Sequence, residues 1–322
     1  MNSRSIEYFL VTAEELNFTR AAERLFISQQ ALSSHIKRLE DEYNIELFER
    51  KPTTRLTLAG QQMALYGRQI LEAEKNMRAA FSDINKNCLG NMKIGMARLR
   101  SHVFFPLLWN HYHASHPNIS VELVNGNTNA LSELLEIGKI DLYIGVDVPE
   151  VPNQKRIKLT SEKIHCCFTR DLLKKYAPLD FQQRLAEMND GIDLRKIMDL
   201  PLITMRKGNR LRNALDSFCA HELNPHYIFE CDQQELVYDM ALQGQGVGIL
   251  SPAILYQHLQ EITQLKDNFY VFPLQSDFKE NYIYLVYRTD YTIPSFVMDF
   301  IETASIIFSS YSKSMKLRFE CV

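Results

Sequence analysis

The spacing of apolar residues divides the chain into a helical N-terminal part and a longer part that begins near residue 90. Leu32, Ile36, Leu39 and Tyr43 recur at intervals of four, three and four, which predicts one buried stripe along a helix. Residues 1–58 are predicted to form short helices followed by a basic turn. Residues 59–87 show a single long helical pattern without proline, so we expect one continuous helix there.

Strand-like runs alternate with helical stretches from Gly90 onward. The runs MKIGMA, ISVELVNG and DLYIGV form a first series, and KIHCCFT, LPLIT, HYIFEC and GVGIL form a second. FYVFPL and YIYLVY follow, and a last helical pattern runs from Pro294 to about Tyr311. This alternation predicts a parallel-sheet α/β architecture.

Length and composition are those of an ordinary globular protein. The 322 residues can form two or three domains, and the net charge of −3 gives no global sign of a nucleic-acid partner. The six cysteines include no CxxC pair, so we expect reduced thiols and no metal site. We also expect no cofactor. Neither a secretory signal pattern nor a run of about 18 apolar residues is present, which favours a cytoplasmic protein that does not enter the membrane.

The stretch FTRAAERLFISQQALSSHIKRLEDEY contains two short amphipathic segments joined by a tight turn. Thr19 and Ser28 are the predicted N-caps, because a hydroxyl can accept hydrogen bonds from the free backbone N–H groups of the next turn. Glutamine can pair with adenine in a bidentate manner, and serine and lysine can reach base edges or phosphates. These residue types predict a helix-turn-helix whose second helix enters the major groove of DNA. The side chains that face away from the buried stripe are Gln30, Ser33, Ser34 and Lys37, with Gln29 at its margin.

Positive charge is concentrated locally, although residues 1–87 carry 12 Lys and Arg against 12 Asp and Glu. No acidic residue lies between Arg24 and Leu39, or between Arg50 and Leu71. A face with this charge can hold phosphates in a salt-dependent way. The competing interpretation is an αα-hairpin with a solvated polar face, in which His35 is a packing residue or touches a phosphate.

The same stretch, followed by RLTLAG, resembles the N-terminal domain of LysR-type transcriptional regulators. The family pattern A-A-x-x-L, S-Q, L-S, I-x-x-L-E and L-F-x-R is met in register, and the resemblance extends over nearly the whole chain. Gln30 stands where the family usually has proline, and Ser34 stands where arginine is frequent. The resemblance implies a DNA-binding regulator and not an enzyme. The matching residues are Ala21, Ala22, Leu25, Ser28, Gln29, Leu32, Ser33, Ile36, Leu39, Glu40, Leu47, Phe48 and Arg50.

The resemblance also implies that RKPTTRLT is a wing, with Thr53 and Thr54 near phosphates and Arg55 directed toward the minor groove. Double-stranded DNA is the expected partner. The expected DNA-binding residues are Thr19, Ser28, Gln29, Gln30, Ser33, Ser34, Lys37, Arg50, Thr53, Thr54 and Arg55.

The long helical pattern contains a seven-residue repeat of apolar positions. A seam so narrow predicts pairing with the same helix of a second subunit, so we expect a homodimer or tetramer that reads two half-sites. The alternative is that the seam packs on the α/β domain of its own chain. Gly67 weakens this helix by about 1 kcal/mol. The seam consists of Met63, Tyr66, Ile70, Ala73, Met77, Ala80 and Ile84.

The α/β region lacks the sequence motifs GxSxG, HExxH and a phosphate loop. The segment GQGVG follows a helix and precedes a strand, the reverse of the order that dinucleotide binding requires, so we interpret it as a helix C-terminal turn. Cys166 and Cys167 are adjacent in a strand and are predicted to be structural. Cys219 and Cys231 lie where a peroxide-sensing branch of the family uses a thiol pair, but their spacing does not resemble that branch.

The fold class implied by the resemblance is an N-terminal all-α winged helix-turn-helix with a long linker helix, followed by an α/β regulatory domain. That domain would consist of two Rossmann-like subdomains, as in periplasmic binding proteins. The expected boundaries are 1–58 for the DNA-binding domain, 59–87 for the linker and dimerisation helix, 90–322 for the effector-binding domain, about 90–162 and 273–322 for subdomain I, and about 163–272 for subdomain II.

The resemblance further implies a small effector, which we expect to be anionic, in the cleft between the subdomains. Free N–H groups at helix N-termini near the strand ends favour anions. Ser101 and Thr128 are predicted to cap the helices that follow MKIGMA and VELVNG. Two alternatives stay open: a regulator that senses redox state through Cys219 or Cys231, and an α/β enzyme or solute-binding protein with a helical N-terminal extension. The expected effector-binding residues are Arg98, Arg100, Ser101, Thr128, Thr204 and Arg206.

Overall fold

The computed structural model describes residues 2–50, 53–84, 90–188, 191–219, 223–265, 267–275, 278–290 and 293–319. The N-terminal elements are α1 (Ser3–Glu15), α2 (Phe18–Arg24), α3 (Gln29–Tyr43), β1 (Phe48–Glu49), β2 (Arg55–Leu56) and α4 (Leu58–Ile84). The later helices are α5 (Arg98–Ser115), α6 (Thr128–Glu136), α7 (Arg170–Tyr176), α8 (Phe181–Ala186), α9 (Arg210–Cys219), α10 (Gln234–Leu242), α11 (Pro252–Gln257), α12 (Leu259–Gln264) and α13 (Ser295–Phe319). The later strands are β3 (Gly90–Met96), β4 (Ile119–Asn125), β5 (Leu142–Val146), β6 (Gln154–Glu162), β7 (His165–Thr169), β8 (Leu202–Met205), β9 (Tyr227–Cys231), β10 (Val247–Leu250), β11 (Phe269–Pro273) and β12 (Asn281–Arg288).

The apolar stripe of α3 lies in the core of the helical domain. Leu32, Ile36 and Leu39 are each at most 2% exposed, as predicted. The prediction for Tyr43 was wrong, because this side chain is 47% exposed. Tyr43 is the last residue of α3, and the chain turns away at Asn44, which has a left-handed backbone conformation. The core therefore ends one turn before the helix does.

The cap of α3 was predicted correctly and the cap of α2 was not. The hydroxyl of Ser28 accepts a hydrogen bond from the backbone N–H of Ala31 at 3.2 Å. Asn17, and not Thr19, caps α2, because its side-chain oxygen accepts from the N–H groups of Thr19 at 2.9 Å and Arg20 at 3.1 Å. The helix begins at Phe18, so Thr19 lies inside its first turn.

The first half of α4 packs against α1. A Cβ atom on Gly67 would lie 2.8 Å from Cγ2 of Ile6, so the missing side chain of Gly67 allows the two helices to approach. Met63 also packs against this helical core, which corrects its assignment to a surface seam. The side chains of Ala80 and Ile84 lie outside the described residues. The seam residues with exposed side chains are Tyr66, Ile70, Ala73 and Met77.

Two five-stranded sheets form the α/β part, and both are mixed. The strand orders are β4-β3-β5-β12-β6 and β11-β7-β10-β8-β9. β3 runs parallel to β4 and β5, and β8 runs parallel to β9 and β10, as predicted. β12 and β7 are antiparallel to both of their neighbours. β6 belongs to the first sheet and β7 to the second, so the short connection between them is the first crossover from one sheet to the other. The exact residues at which one subdomain gives way to the other stay a prediction.

The glycine-rich segment forms the predicted turn. α10 ends at Leu242, Gly244 has a φ of 72°, and β10 begins at Val247. A left-handed residue after a helix end is typical of a C-terminal cap. This geometry confirms that the segment connects a helix to a strand.

The last helix is longer than the sequence pattern predicted. α13 continues to Phe319, eight residues beyond Tyr311, and buries Tyr311, Met315 and Phe319. Polar residues such as Lys313 and Lys316 surround these apolar positions and obscure the stripe in the sequence. Within the described ranges, every helix is too short or too polar to cross a membrane.

One carboxylate fixes the β1–β2 hairpin to α3. Oε1 of Glu40 accepts hydrogen bonds from the backbone N–H groups of Leu47 at 2.9 Å and Phe48 at 3.3 Å. Oε2 of Glu40 pairs with Nη2 of Arg50 at 3.1 Å. The guanidinium of Arg50 also lies over the ring of Phe18, 5.4 Å from its centroid. The hairpin therefore has a defined position relative to α2 and α3.

We predict that Glu40→Gln lowers the free energy of unfolding by about 1 to 3 kcal/mol, because three hydrogen bonds lose their charged acceptor. Chemical denaturation of the purified variant measures this change. Asp41→Asn is the matched control, since it removes one negative charge from an exposed neighbour on α3. Equal effects of the two substitutions would contradict the role assigned to Glu40.

Candidate nucleic-acid interface and effector cleft

The eleven expected DNA-binding residues lie on α2, α3 and the β1–β2 hairpin with its flanking turns, and each is exposed or half-buried. Gln30, Ser34 and Lys37 are exposed and are spaced by four and three residues, so they share one face of α3. Gln29 donates a hydrogen bond to the hydroxyl of Ser33 at 2.9 Å, which orders the margin of this face. The structure thus presents an amide, hydroxyls and a cation together on one side of α3.

A tight turn directs α3 away from α2. Phe26 has a left-handed φ of 55°, and its side chain is 96% exposed. The backbone N–H of Ile27 donates to the carbonyl oxygen of Ala22 at 3.0 Å and closes the turn. Ala21 and Ala22 are buried, and their small side chains allow the helices to pack closely. This geometry is that of a helix-turn-helix, and the prediction of this motif is confirmed.

Several cations near α3 are neutralised within the protein. Arg24 pairs with Glu14 at 3.0 Å and Glu15 at 3.1 Å, so it does not add the free positive charge that the sequence suggested. Arg50 is likewise paired with Glu40. The cations available for phosphates are therefore fewer than the count of basic residues implies.

His35 lies at the edge of the α3 surface. Its ring makes an edge contact with Tyr8, with centroids 4.9 Å apart, and its Nδ1 lies 3.2 Å from Nη2 of Arg38. Burial, and then the charges of Arg38 and Arg4, lower the pKa of His35 below its usual value. The imidazole is consequently neutral near pH 7, and the local positive potential comes from arginine and lysine.

The carboxyl ends of β3, β4 and β5 converge, as expected, but the helix caps differ from the prediction. Ala97 occupies the N-cap of α5, and Ser101 lies inside the helix, where its hydroxyl donates to the carbonyl oxygen of Arg98 at 2.8 Å. Asn127 caps α6, and the hydroxyl of Thr128 instead accepts from the N–H of Val146 at 3.2 Å. In both cases a neighbouring residue has the extended backbone that an N-cap requires.

The hydroxyls of Ser101 and Thr128 therefore join strand ends to helices. The amide of Asn125 at the end of β4 donates to Ser101 at 3.0 Å, and Thr128 is held by the end of β5. Arg98 is exposed at the first position of α5. These contacts place Arg98, Ser101 and Thr128 at one edge of the first sheet.

Arg100 is the buried cation of this edge. Its Nη2 lies 2.5 Å from Oε2 of Glu162, and the two side chains are 8% and 1% exposed. Nε of Arg100 is also buried and has no hydrogen-bond partner among the residues that the structure describes. Buried donors without an acceptor are uncommon in proteins, and each calls for an explanation such as a bound water, ion or ligand.

Arg210 reaches this edge from the second sheet. It begins α9, and its Nη1 donates to Oδ1 of Asn281 at 2.5 Å and lies 3.5 Å from Oδ2 of Asp147. Desolvation of the Arg210 guanidinium, and next the positive charge of Arg100, lower the pKa of Arg210. Glu162, the partner of Arg100, is paired across β6 and β12 with Asn281, the partner of Arg210, so the two arginines bind neighbouring residues of the first sheet.

The two effector residues expected on the second sheet behave differently from each other. Thr204 is fully buried at the end of β8, and its hydroxyl has no partner within the described part of the chain. Arg206 is 67% exposed and pairs with Asp232. It lines an open groove together with Lys207, Gly208 and Asn209, outside the buried cluster. The effector role of Arg206 stays a prediction, whereas Arg210 contacts Asn281 and Asp147 of the first sheet.

Four residues that form these contacts with Arg100 and with each other were not predicted from the sequence. Glu162 and Asn281 face each other across β6 and β12, and Asp147 and Arg210 approach them from different elements. The turn signal Gly208-Asn209 before Arg210 marks a helix start in the sequence. This signal could have identified Arg210 at the start of α9, but Glu162 and Asp147 have no comparable local signal.

The thiols give little support to redox sensing. Cys166 and Cys167 are buried, and burial raises the pKa of both thiols, which agrees with a structural role. Cys219 is also buried, and burial raises the pKa of its thiol. Cys231 is half-buried and donates to the carbonyl oxygen of Gln233 at 3.2 Å. A raised thiol pKa reduces the fraction of thiolate, which is the reactive form.

Comparison with known proteins places these features in a family. Residues 3–61 match the model of the bacterial regulatory helix-turn-helix protein, lysR family, and residues 89–305 match the LysR substrate binding domain. The regulator BenM of Acinetobacter baylyi is 28% identical over 266 residues, which cover 78% of this chain and 80% of BenM. The hydrogen peroxide-inducible genes activator of Pectobacterium carotovorum is 27% identical over 290 residues, covering 89% and 90% of the two chains.

The fold is shared with a solved full-length regulator. OxyR from Pseudomonas aeruginosa superposes with a TM-score of 0.64 at 20% identity, over 96% of this chain and 94% of OxyR. The two family models together cover the helical domain and both sheets. The chain therefore belongs to the LysR family of DNA-binding transcriptional regulators.

Proposed function

We propose that this LysR-type regulator reads its operator with the Gln30, Ser34 and Lys37 face of α3 in the major groove. The exposed side chains on that face supply both an amide for base edges and a cation for phosphates. Arg55 and Thr53, which are exposed at the hairpin, contact the adjacent backbone and minor groove. The observation that carries this proposal is the common face formed by residues 30, 34 and 37.

We predict that Gln30→Ala changes the preferred base at one operator position by about 1 to 3 kcal/mol, because a bidentate amide contact is lost. Lys37→Ala should weaken binding to all sequences and lower the slope of log K against log salt by about 1. Selection of bound fragments from random DNA, followed by titration at several salt concentrations, measures both effects. Gln61→Ala, at an exposed position on α4, is the control. An unchanged selected sequence with Gln30→Ala would contradict the assignment.

The regulator also associates with itself through α4 in this proposal. Tyr66, Ile70, Ala73 and Met77 form an exposed apolar strip at a and d spacing, although Met63 is used within the chain. Exposed apolar strips of this kind commonly mark interfaces. Two copies would present two α3 helices to successive half-sites. Such an assembly acts on DNA in the cytoplasm.

We predict that Ile70→Glu converts the protein to single chains at micromolar concentration, because a charge at a seam position cannot be paired across a two-fold axis with its own copy. Sedimentation velocity measures the mass. Gln69→Glu adds the same charge at the neighbouring exposed position and should leave the mass unchanged. If Ile70→Glu sediments like the unmodified protein, association does not depend on this strip.

The effector is a small anion in this proposal. Nε of Arg100, Nδ2 of Asn281 and the hydroxyl of Thr204 are buried, and the described residues offer them no hydrogen-bond partner. All three can donate, so an acceptor-rich ligand satisfies them. Arg100 lies in the first turn of α5, and the N-cap Ala97 of this helix has no side-chain acceptor for the first N–H groups. Desolvation, and then the charge of Arg100, lower the pKa of Arg210, and an anion bound near both groups would offset these effects.

We predict that small mono- and dicarboxylates raise the melting temperature of the protein, whereas their neutral amides do not. Arg210→Gln should weaken this carboxylate binding about tenfold or more, because a charge-assisted hydrogen bond is lost. Arg206→Gln removes the same charge from an exposed position four residues before Arg210 and is the matched control. Equal stabilisation by acids and amides would exclude an anionic effector.

A further inference from the structure

The C-terminal half of α13 lies beyond the part of the chain that matches the LysR substrate binding domain. That match ends at residue 305, whereas α13 continues to Phe319. The additional segment is not a loose extension, since five of its apolar side chains are packed into the α/β core, although Ile306 and Leu317 are exposed. The buried residues of this segment are Ile307, Phe308, Tyr311, Met315 and Phe319.

This segment contacts elements of both sheets. Phe308 and Tyr311 pack on Phe104 of α5, with ring centroids 4.5 and 4.9 Å away. Tyr311 also makes an edge contact at 5.0 Å with Tyr256 of α11, which follows β10 of the second sheet. Farther along, Phe319 makes an edge contact at 5.5 Å with the ring of His165, the first residue of β7. The helix therefore crosses from the first sheet to the second.

Tyr311 is joined to the buried ion pair at the cleft. Its hydroxyl donates to Oε1 of Glu162 at 3.0 Å, while Oε2 of Glu162 accepts from Nη2 of Arg100 at 2.5 Å. Burial, and then the charge of Glu162, raise the pKa of Tyr311 well above its usual value, so the hydroxyl keeps its proton. Each oxygen of the carboxylate thus has its own donor, one from α13 and one from α5.

We propose that Tyr311 is a positioning residue for effector recognition, which makes the C-terminal half of α13 part of the effector-binding machinery. By occupying Oε1, Tyr311 holds Glu162 in a single hydrogen bond with Arg100. Nε of Arg100 then stays unpaired and is available to an anionic effector. Without Tyr311, Oε1 can turn to Nε and form the two-bond arrangement that arginine and carboxylate favour. Nε of Arg100 then donates to Glu162 and is no longer available to the effector.

This inference rests on the proposed anionic effector, and its first test uses succinate as the probe. Tyr311→Phe should bind succinate about tenfold more weakly than the unmodified full-length protein. Tyr112→Phe is the matched control, because Tyr112 is equally buried and donates to the carbonyl oxygen of Phe296 in the first half of the same helix at 2.9 Å. Its succinate affinity should stay within about twofold of the unmodified value. Isothermal titration calorimetry measures these affinities.

The effect of Tyr311 should pass through Glu162, and a double-mutant cycle tests this path. In the Glu162→Gln background, where no carboxylate competes for Nε, Tyr311→Phe should change succinate affinity less than twofold. A tenfold loss in that background would mean that Tyr311 acts by general packing, and the inference would be overturned. The same conclusion would follow if Tyr311→Phe and Tyr112→Phe weakened succinate binding equally.

A second test needs no effector and separates this inference from the proposed function. In the Arg100→Lys background the side chain has no Nε donor to replace the lost tyrosine bond. Tyr311→Phe should therefore lower the melting temperature more in that background than in the unmodified protein, whereas Tyr112→Phe should lower it equally in both. If the unmodified protein ignores succinate and other carboxylates, carboxylates are excluded as effectors, and this melting comparison still decides whether Tyr311 keeps Glu162 from pairing with Nε of Arg100. Equal shifts for Tyr311→Phe in the two backgrounds would refute it.

Discussion

A buried guanidinium needs a counter-charge, and the α/β half of this regulator is organised around that requirement at Arg100. Removing an arginine and a carboxylate from water costs several kcal/mol for each ion, and only close contact with further hydrogen bonds offsets the cost. Glu162 supplies the contact, and Tyr311 supplies a further hydrogen bond. These two contacts hold together the start of α5, the end of β6 and the middle of α13. The same groups lie at the strand ends where the proposed effector site is, so in that proposal they serve both stability and recognition.

Features fixed by neighbouring residues could be predicted from the sequence, and features fixed by distant ones could not. Leu32, Ile36 and Leu39 were assigned to the core because helical spacing alone places them on one face. The caps show the limit of local reasoning, since Asn17, Ala97 and Asn127 each occupy an N-cap position only one to four residues from the predicted one. Shifts of one or two residues lie within the usual ambiguity of helix ends, whereas the four-residue shift from Ser101 to Ala97 exceeds it.

The contacts among Arg100, Glu162, Arg210 and Asn281 show a different limit of prediction from the sequence. Arg100 and Glu162 are separated by 62 positions, and Arg210 and Asn281 by 71. Nothing in the local pattern of either partner signals the pairing, because the sheets and the crossover strands create it. The charge of the DNA-binding surface was overestimated for a related reason. Arg24 is basic in sequence, but its acidic partners Glu14 and Glu15 lie on a different helix.

The position of the cluster also bears on how an effector can change the protein. A ligand shifts a conformational equilibrium only if it interacts differently with the two states. Arg210 belongs to the second sheet, yet its hydrogen bond and ion pair go to Asn281 and Asp147 at the edge of the first. A ligand that replaces Asn281 or Asp147 as the partner of Arg210 therefore changes the contact between the sheets and not only the contents of the cleft. Because α13 crosses the same junction and packs on both sides, any change in the angle between the sheets must be accommodated along its buried aromatic face.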